Sequence, residues 1–341
     1  MRVLYIYSGL RKDKFKGEIS VDYPDTQFYG LNHLDKFGIN ADYKEPRGFG
    51  FFRLKHFLSF FLTRGYDIVF GSSLLYALFW KKIFVSHAKF VILNIGLTRA
   101  LASNRNNPFK LKIILWLLKS AIIVVCLSNN QKKYLEERFS FSQDKVFFVP
   151  LGVDIKYYQP IYEGRKNYIL SVGRDNGRDY KTIIETAILM PEREFQIVCS
   201  RRNLEGINNI PKNVKIFYDL PFSELNRKYQ EAEILLLITH NDSFGDGADC
   251  SGQTVLLDAM ANGLPIIVSR KEYLTDYVID GKEAIFVDFY NPNKIKIAIE
   301  SLLNNHRFRK EIAIRARQRV EVEFSTKKMA ERLSDIFKNL S

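Results

Sequence analysis

The sequence predicts an α/β protein made of two doubly wound parallel-sheet domains. Three observations predict this fold class: a length of 341 residues, which exceeds one ordinary core; continuous apolar runs of strand length; and helical patterns between those runs. Continuous apolar strands that alternate with helices are typical of parallel sheets covered on both faces. A hydrophobic fraction of 46% with 26% charged residues is typical of globular proteins.

The apolar runs fall into two series. The first reads RVLYIYS, YDIVFGS, KFVILNI, IIVVCLS and VFFVPLG, and the second reads YILSVGR, EFQIVCS, VKIFYD, EILLLIT, LPIIVSR and AIFVDF. The segment VPLGVDIKYYQP separates them, so we expect Rossmann-like domains at residues 1–150 and 151–325. Because ligands bind beyond the carboxyl ends of parallel strands, two facing sheets would enclose a cleft. A last helix within residues 326–341 is expected to pack on either domain, including a return to the first.

The formal charge of +13 is concentrated in the first half of the chain. Residues 1–157 contain 24 Lys+Arg against 12 Asp+Glu, which is 24 − 12 = +12, whereas residues 158–341 contain 27 against 26, which is +1. This asymmetry favours a polyanion or an anionic membrane as a partner of the first half. A basic surface without such a partner is the alternative.

Cysteine usage and hydropathy indicate a cytoplasmic protein without a membrane span. Three cysteines, Cys126, Cys199 and Cys250, show no metal-ligand spacing, which fits a reducing compartment. The opening MRVLYIYSG is typical of a buried strand and not of a signal peptide. The longest apolar tract, Ile113–Leu127, is interrupted by Lys119 and is too short to span a bilayer. It predicts a helix that ends near Lys119, followed by a buried strand.

The stretch YILSVGRDNGRDYKTIIETA predicts a strand, a glycine turn and a helix that starts near Asp179 or Tyr180. Gly173 and Gly177 allow close approach of a phosphate to the backbone, and a helix N-terminus carries partial positive charge. Arg174, Arg178 and Lys181 add full charges. The combination indicates a diphosphate site, with a solvated turn as the alternative. The spacing is not GxGxxG, which disfavours a dinucleotide cofactor.

A second strand-turn-helix follows in ITHNDSFGDGADCSGQTVLLDAMANG. The backbone amides of Gln253, Thr254 and Val255 are expected at the helix start, where they can bind an anion. Asp258 comes one turn later and can accept hydrogen bonds from a diol such as that of a ribose. A solvated helix residue is the alternative for Asp258, although its apolar setting argues against this.

Several stretches resemble the C-terminal half of GT-B glycosyltransferases of the large bacterial retaining group 1 family (family 4 type). These stretches are SVGR…KT, NVKIFYDLPFSELNRKYQEAEILLLIT, SGQTVLLDAMANGLPIIVS and FSTKKMAERLSDIF, and VFFVPLGVDIKYYQP resembles the family's interdomain linker. The resemblance covers residues 145–340 well and residues 1–144 only in pattern. It implies the GT-B fold, with an N-terminal acceptor-binding domain and a C-terminal domain that binds a nucleotide-sugar donor.

The resemblance also implies roles on the donor side. Arg174 matches an arginine that binds the donor diphosphate, and Arg178 or Lys181 stands in for a nearby family lysine. Arg174 and Lys181 are expected to stabilise the leaving diphosphate. Asp258 matches the second of two family glutamates and would bind the ribose. The full expected donor-side set is Gly173, Arg174, Arg178, Lys181, Ser251, Gly252, Gln253, Thr254, Val255 and Asp258.

The chain departs from the family pattern at the first glutamate, which usually contacts the donor sugar. Cys250 occupies this position, eight residues before Asp258. Either Asp249 takes over as a catalytic residue, or Ser251, Gly252 and Gln253 hold the sugar. His240, at the end of the preceding strand, is more typical of a structural residue than of a catalytic one.

No metal and no cofactor are expected beyond the donor substrate itself. Asp242, Asp246 and Asp249 supply fewer oxygen ligands than a hard-cation loop needs. The resemblance agrees, because GT-B enzymes generally work without a catalytic metal.

The first half is expected to hold the acceptor. A long basic loop opens at Ser8 and Gly9, and a helix follows around FYGLNHLDKFG. Asp22, Asp25 and His33 are the acid/base candidates there, and for each a structural role is the alternative.

The segment Arg47–Gly65 combines six phenylalanines with cations. Phe51, Phe52, Arg53 and Lys55 are therefore predicted to contact an anionic membrane interface; a buried helix is the alternative. A second basic cluster supports the same prediction: Arg99, Arg105, Lys110 and Lys112.

These observations predict a nucleotide-sugar-dependent glycosyltransferase that is peripherally bound to the inner face of the cytoplasmic membrane. Its acceptor would be a lipid-linked or cell-envelope glycan, and the resemblance favours retention of configuration. Two alternatives remain: a GT-B enzyme that acts on DNA, and a non-catalytic homologue that binds sugar nucleotides. The sequence does not specify the oligomeric state.

Overall fold

The computed structural model shows two parallel sheets, each with its own core. It describes residues 1–7, 23–45, 63–72, 74–84, 86–162, 164, 168–241 and 250–340. Contacts divide the chain into two units. Unit 1 comprises Met1–Ser20, Phe28–Pro150 and Lys327–Ser341, and unit 2 comprises Val21–Gln27 and Leu151–Thr326.

The described part of unit 1 has a six-stranded parallel sheet in the order β2-β1-β3-β4-β5-β6. Its strands are β1 (Arg2–Ile6), β2 (Asn40–Lys44), β3 (Ile68–Gly71), β4 (Lys89–Asn94), β5 (Ile123–Cys126) and β6 (Val146–Phe148). Its helices include α1 (Leu75–Ile83), α2 (Leu97–Ser103), α3 (Pro108–Leu118) and α4 (Asn129–Phe139). The helix expected around FYGLNHLDKFG is a 3-10 helix, Leu31–Phe37.

Unit 2 repeats this architecture, with a six-stranded parallel sheet among its described residues. Its strands are β7 (Tyr168–Val172), β8 (Glu194–Cys199), β9 (Val214–Tyr218), β10 (Ile234–Leu237), β11 (Ile266–Ser269) and β12 (Ile285–Val287). Its helices include α5 (Tyr180–Ile188), α6 (Phe222–Glu231), α7 (Gln253–Ala261), α8 (Pro292–Asn304) and α9 (His306–Glu323). The sheet order is β12-β11-β10-β7-β8-β9, so the connections reverse direction between β7 and β10. Ligands bind at such a reversal, beyond the carboxyl ends of the strands.

The predicted fold class is confirmed. All eleven apolar runs are strands, and the tract Ile113–Leu127 divides into the end of α3 and strand β5 as expected. The strand that was not predicted is β2, which reads NADYK and lies at the edge of its sheet. An edge strand has one neighbour and no strand on its outer side, so it does not need the apolar pattern of a central strand.

The last helix, α10 (Thr326–Lys338), packs on unit 1. The ring of Phe337 lies 5.6 Å from that of Phe70 at the end of β3. Ala330 lies against Gly30, and Lys89 Nζ donates a hydrogen bond to the carbonyl of Leu340. The chain just before α10 belongs to unit 2.

Among the described residues, no helix has both the length and the apolar character that crossing a membrane requires.

Gly30→Ala is expected to destabilise the docking of α10. Gly30 has φ +81°, and a Cβ there would lie 2.9 Å from the Ala330 backbone. Gly38 is a matched control, because it has φ +75° and an open space around the same position. Both changes introduce backbone strain of roughly 1 kcal/mol, but Gly30→Ala adds a clash of about 1–3 kcal/mol. Urea unfolding of both variants checks this. Equal losses of unfolding free energy would contradict the close contact between Gly30 and Ala330.

Candidate functional site

The loop after β7 lies across the carboxyl end of β10 in unit 2. The backbone N–H of Asp179 donates to the carbonyl of Ile238 at 3.1 Å, and that of His240 donates to the carbonyl of Gly177 at 2.9 Å. These bonds hold the glycine turn of the first motif over the reversal point of the sheet.

Arg178 is a buried cation at the centre of this loop. Its side chain is 2% exposed, and its Nε lies 3.1 Å from Asp175 Oδ2. Burial by itself would lower the pKa of Arg178, but Asp175 and nearby tyrosines hold that pKa above its ordinary value, so the group stays charged. The contact with Asp175 is an ion pair and not a well-aligned hydrogen bond, and no described residue accepts a hydrogen bond from Nε or Nη1.

Two glycines make room for this guanidinium. A Cβ on Gly173 would lie 2.1 Å from Arg178 Nε, and a Cβ on Gly252 would lie 2.8 Å from Arg178 Nη1. Gly252 is the N-cap of α7 and has φ +92°, a conformation that favours glycine. The buried charge of the first motif therefore lies directly against the helix start of the second.

A hydrogen-bond network fixes the turn before α7. Ser251 Oγ donates to Asp175 Oδ1, which also accepts the backbone N–H of Gly177 at 3.1 Å. The hydroxyl of Tyr273 donates to the carbonyl of Ser251. Asp175 thus connects the loop after β7 to the start of α7, a role that the sequence analysis missed.

The two helix starts near the site differ in their capping. The Asp179 carboxylate accepts the backbone N–H of Thr182 at 3.0 Å and its hydroxyl at 2.5 Å, so it occupies the N-terminus of α5. The N-cap of α7 is Gly252, which has no side chain to bind the amides of Thr254 and Val255. The start of α7 therefore has no side-chain cap, whereas the start of α5, which was also predicted to bind the diphosphate, is capped by Asp179; both assignments stay predictions. The Asp-x-x-Thr spacing is a capping signal that could have shown this.

The other predicted cations lie further out. Arg174 is exposed, with its Nη2 3.3 Å from Asp219 Oδ1, and Arg202 donates to its carbonyl at 2.8 Å. Lys181 is 77% exposed on α5 and lies 4.0 Å from Glu185. Of the two residues proposed to replace the family lysine, the structure brings Arg178 to the start of α7 and places Lys181 at the surface.

Asp258 lies inside unit 2, on α7. It is 5% exposed and forms a hydrogen bond with the hydroxyl of Tyr158, while its Oδ1 has no hydrogen-bond partner among the residues that the structure describes. Burial raises the pKa of Asp258 well above its ordinary value; the bond with Tyr158 opposes this rise, and the charge of Asp154 adds to it. A contact with a ligand requires that Oδ1 be uncovered.

Two further residues at the carboxyl edge were not assigned a site by the sequence analysis. Lys271, just after β11, is fully buried, with its Nζ 6.0 Å from the centre of the Tyr273 ring and 5.8 Å from that of Phe289.

The second residue is His240. Burial lowers the pKa of His240, and the charge of Lys271 lowers that pKa further, whereas the charge of Asp179 opposes the shift. His240 is therefore mainly neutral at neutral pH and can accept a proton.

The described acceptor-side candidates are both buried. The backbone N–H of Asp25 donates to Asp154 Oδ2 at 3.0 Å, and contacts group Asp25 with unit 2. His33 belongs to unit 1, where its Nδ1 lies 3.3 Å from Lys36 Nζ. Their roles at an acceptor site stay predictions.

The remaining predicted residues lie outside the described part of the chain. They are Gly9, Asp22, Phe51, Phe52, Arg53, Lys55, Asp242, Asp246 and Asp249. Among the residues that are described, no group of three or more His, Cys, Asp or Glu side chains is placed to hold a metal ion.

Sequence comparisons relate the chain to glycosyltransferases. Residues 200–319 match the family described as glycosyl transferases group 1. A D-inositol 3-phosphate glycosyltransferase of Corynebacterium diphtheriae is 27% identical over 128 residues, which are 38% of this chain and 28% of that protein. An uncharacterized glycosyltransferase of Methanocaldococcus jannaschii is 24% identical over 223 residues, or 64% of this chain and 60% of that protein. The matched segments thus cover less than two thirds of either relative.

Two solved structures share the fold over nearly the whole chain. Sucrose-phosphate synthase from Thermosynechococcus elongatus has a TM-score of 0.76 and 16% identity, with 99% of this chain and 98% of that chain covered. Anabaena HepE in complex with UDP and glucose has a TM-score of 0.72 and 12% identity, with coverage of 99% and 100%.

The two sheets and these structural matches define a GT-B fold. Within that class, residues 200–319 match the family described as glycosyl transferases group 1.

Asp258→Asn is expected to stabilise the protein relative to the wild type, and to do so more at pH 8 than at pH 4. A carboxyl with a raised pKa keeps its proton in the folded state at pH values where the unfolded chain, with a pKa of about 3.9, has lost it. Stability from this group is therefore lost as pH rises above about 4, and an amide removes that loss. Between pH 4 and pH 8, we expect the unfolding free energy of the Asn variant to rise relative to that of the wild type by on the order of 1 kcal/mol or more.

Denaturant unfolding at both pH values measures this difference. Asp288→Asn, at an exposed carboxyl of the same unit, is the matched control for the substitution itself. A flat response for Asp258→Asn would show that the carboxylate is ionised in the folded protein.

Proposed function

We propose that the protein is a glycosyltransferase that moves a sugar from a nucleotide-sugar donor to a lipid-linked or cell-envelope glycan. The observation that carries this proposal is the buried Arg178, whose Nε and Nη1 have no hydrogen-bond acceptor among the described residues, beside the N-terminus of α7. Both groups attract an anion, and together they match the charge of a diphosphate. They lie at the sheet reversal, where α/β folds bind nucleotides.

The comparisons support a nucleotide sugar as the donor. HepE, which shares the fold, was solved with UDP and glucose, and the matched family consists of glycosyl transferases. In this chain, the diphosphate would lie against the amides of Thr254 and Val255, with Arg178 behind it and Arg174 at the exposed rim. Asp258 would bind the ribose once its Oδ1 is uncovered.

The site would act by stabilising the leaving group. The bond between the anomeric carbon and the phosphate oxygen breaks, and negative charge accumulates on the diphosphate next to Arg178 and the start of α7. The acceptor oxygen forms the new bond to the anomeric carbon. In a retaining reaction, the acceptor proton passes to the leaving phosphate oxygen, so a protein base is unnecessary. The fixed cation and the helix start would supply this stabilisation without a metal.

Cys250 motivates a non-catalytic alternative. It stands where the resemblance expects a glutamate, and it has φ 59°, which is rare for a residue with a side chain. Without that carboxylate, contact with the sugar falls to Asp249 or to Ser251, Gly252 and Gln253. Donor binding without transfer to any acceptor would identify the protein as a sugar-nucleotide binder.

The proposed acceptor and the proposed location are supported by the charge of the first half. The balance of +12 in residues 1–157 supports an anionic surface as partner of the first half, and we propose peripheral association with the inner face of the cytoplasmic membrane. DNA is the less favoured acceptor, and salt-sensitive retention on DNA together with glycosylation of DNA would promote it.

Gly252→Ala is expected to weaken binding of UDP, used as the probe, by about tenfold or more, because one displaced charged hydrogen bond is worth about 1.5–3 kcal/mol. The new Cβ would lie 2.8 Å from Arg178 Nη1 and 2.7 Å from Leu237 Cδ1, and it would displace both side chains. Gly206→Ala is the control, since Gly206 has φ +81° and open space around it. Isothermal titration measures both variants. Equal affinities in Gly252→Ala and Gly206→Ala would exclude Arg178 from the diphosphate site.

Turnover should separate the three predicted cations. Arg178→Lys is expected to lower kcat/KM by about 100-fold, since it loses fixed donors next to developing charge, and Arg174→Ala by about tenfold. Lys181→Ala should change it less than threefold, because Lys181 lies at the surface beside Glu185. Release of the nucleoside diphosphate from a panel of sugar nucleotides measures these rates. A large loss in Lys181→Ala alone would reverse the assignment.

A further inference from the structure

The outer face of α3 carries large apolar side chains that the core does not use. Phe109, Ile113 and Trp116 follow one another at helical spacing, and Phe109 is 75% exposed while Trp116 is 47% exposed. The opposite side of α3 already packs into unit 1 through buried Ile114 and Leu118. The helix is therefore apolar on both sides, and its outer side has no role in the core.

The neighbouring helix α1 repeats this arrangement. Phe79 and Ile83 are exposed, and Phe84 follows at the end of the helix, whereas Ala77 and Leu78 point into the core. Helices α1 and α3 pack against each other.

A cation joins the two outer sides into one surface. Lys82 on α1 places its Nζ 4.3 Å from the centre of the Trp116 ring on α3. We call this surface the α1–α3 face; its members are Phe79, Lys82, Ile83, Phe84, Phe109, Lys112, Ile113 and Trp116.

The segment that carries this face has charges of a single sign. From residue 68 to residue 135, the sequence contains ten Lys or Arg and no Asp or Glu. The whole chain carries 38 acids in 341 residues, or about one in nine, so an acid-free run of 68 residues is a marked departure. Lys82 and Lys112 are exposed within the face, and Lys110 and Lys119 extend from the same helix.

This combination fits the interface of an anionic bilayer. Contiguous exposed apolar groups mark an interaction site, and aromatic side chains favour the headgroup level of a membrane. Lysines beside them can keep their charged ends at anionic headgroups while their stems cover apolar surface.

Two other occupants fit the face less well. Nucleic-acid phosphates would bind the lysines, but they would leave the exposed phenylalanine, isoleucine and tryptophan side chains without a role. A second copy of the chain would bring the same surface against itself across a two-fold axis, so that lysines would meet lysines, and neither α1 nor α3 supplies an acid.

We propose that the α1–α3 face docks the protein on an anionic membrane surface, with Phe109, Ile113 and Trp116 inserted at the interface. The inference rests on the membrane part of the proposed function and is independent of the donor chemistry.

Tryptophan fluorescence tests the proposal directly, because the chain has two tryptophans, Trp80 and Trp116, and both lie on α1 or α3. Trp80→Phe leaves Trp116 as the reporter in the full chain. Vesicles of phosphatidylcholine mixed with phosphatidylglycerol should shift its emission to the blue, and brominated lipid should quench it. Vesicles of phosphatidylcholine alone should give a much weaker response.

Vesicle sedimentation of variants separates insertion from charge. Phe109→Ser with Ile113→Ser, and Lys82→Glu with Lys112→Glu, should each lower the partition coefficient on anionic vesicles by at least about tenfold. The controls lie in unit 2: Ile297→Ser with Val322→Ser, at residues that are 58% and 65% exposed, and Lys212→Glu with Lys282→Glu. Both controls should partition like the wild type. Circular dichroism spectra and cooperative urea unfolding like those of the wild type show that all four double variants are folded.

Several results would overturn the assignment. They are an absence of any emission shift, equal partitioning of all variants, and binding that does not depend on anionic lipid. Salt-sensitive retention on DNA that only the lysine variants lose would assign the face to nucleic acid. A dimer that the serine variants dissociate would assign it to a second copy. A protein that partitions as expected but binds no sugar nucleotide would keep this inference and refute the proposed function.

Discussion

The burial of one positive charge governs the architecture of the candidate site. A guanidinium removed from water must be compensated by nearby negative or polar groups, and Arg178 receives this from Asp175 at 3.1 Å. The space that it fills permits no side chain at Gly173 or Gly252. The carboxylate that compensates Arg178 also binds Ser251, so the position of the charge and the position of the α7 start are set together. The glycines, the acid and the serine are therefore consequences of one electrostatic requirement.

This coupling positions the charged groups of the site through contacts within the protein itself. The hydrogen bond between Ser251 and Asp175 joins two loops that are 76 residues apart in the chain. The hydroxyl of Tyr273 also binds the turn before α7, through the carbonyl of Ser251. Preorganised charges are the groups that stabilise a developing negative charge without a cost of reorientation during reaction. Asp258 is different, since its carboxyl is held by Tyr158 in a closed environment and its contribution to a ligand depends on local opening.

Much of the fold was predictable because its signals are local. Apolar strands and helix periodicity appear in short windows, which explains why eleven strands were found, whereas the polar edge strand β2 carries no such signal. The site was predictable in part: two glycine turns located it, but the choice between Arg178 and Lys181 depends on which side of the loop faces the protein, and spacing does not show this. Asp175 and Lys271 were missed for the same reason, as their importance arises from contacts distant in sequence. The α1–α3 face was anticipated only through its cations, because exposed and buried apolar residues look alike in a sequence.

The grouping of α10 with unit 1 has a consequence for synthesis on the ribosome. Strands between residues 2 and 148 form the sheet of unit 1, but the surface around Gly30 and Phe70 is covered by a helix that is translated after unit 2. Domains generally fold in order of emergence. Unit 1 cannot follow that order to completion, since its packing waits for residues translated after all of unit 2. The nascent chain must therefore carry an incompletely covered first unit while residues 151–326 of unit 2 are translated.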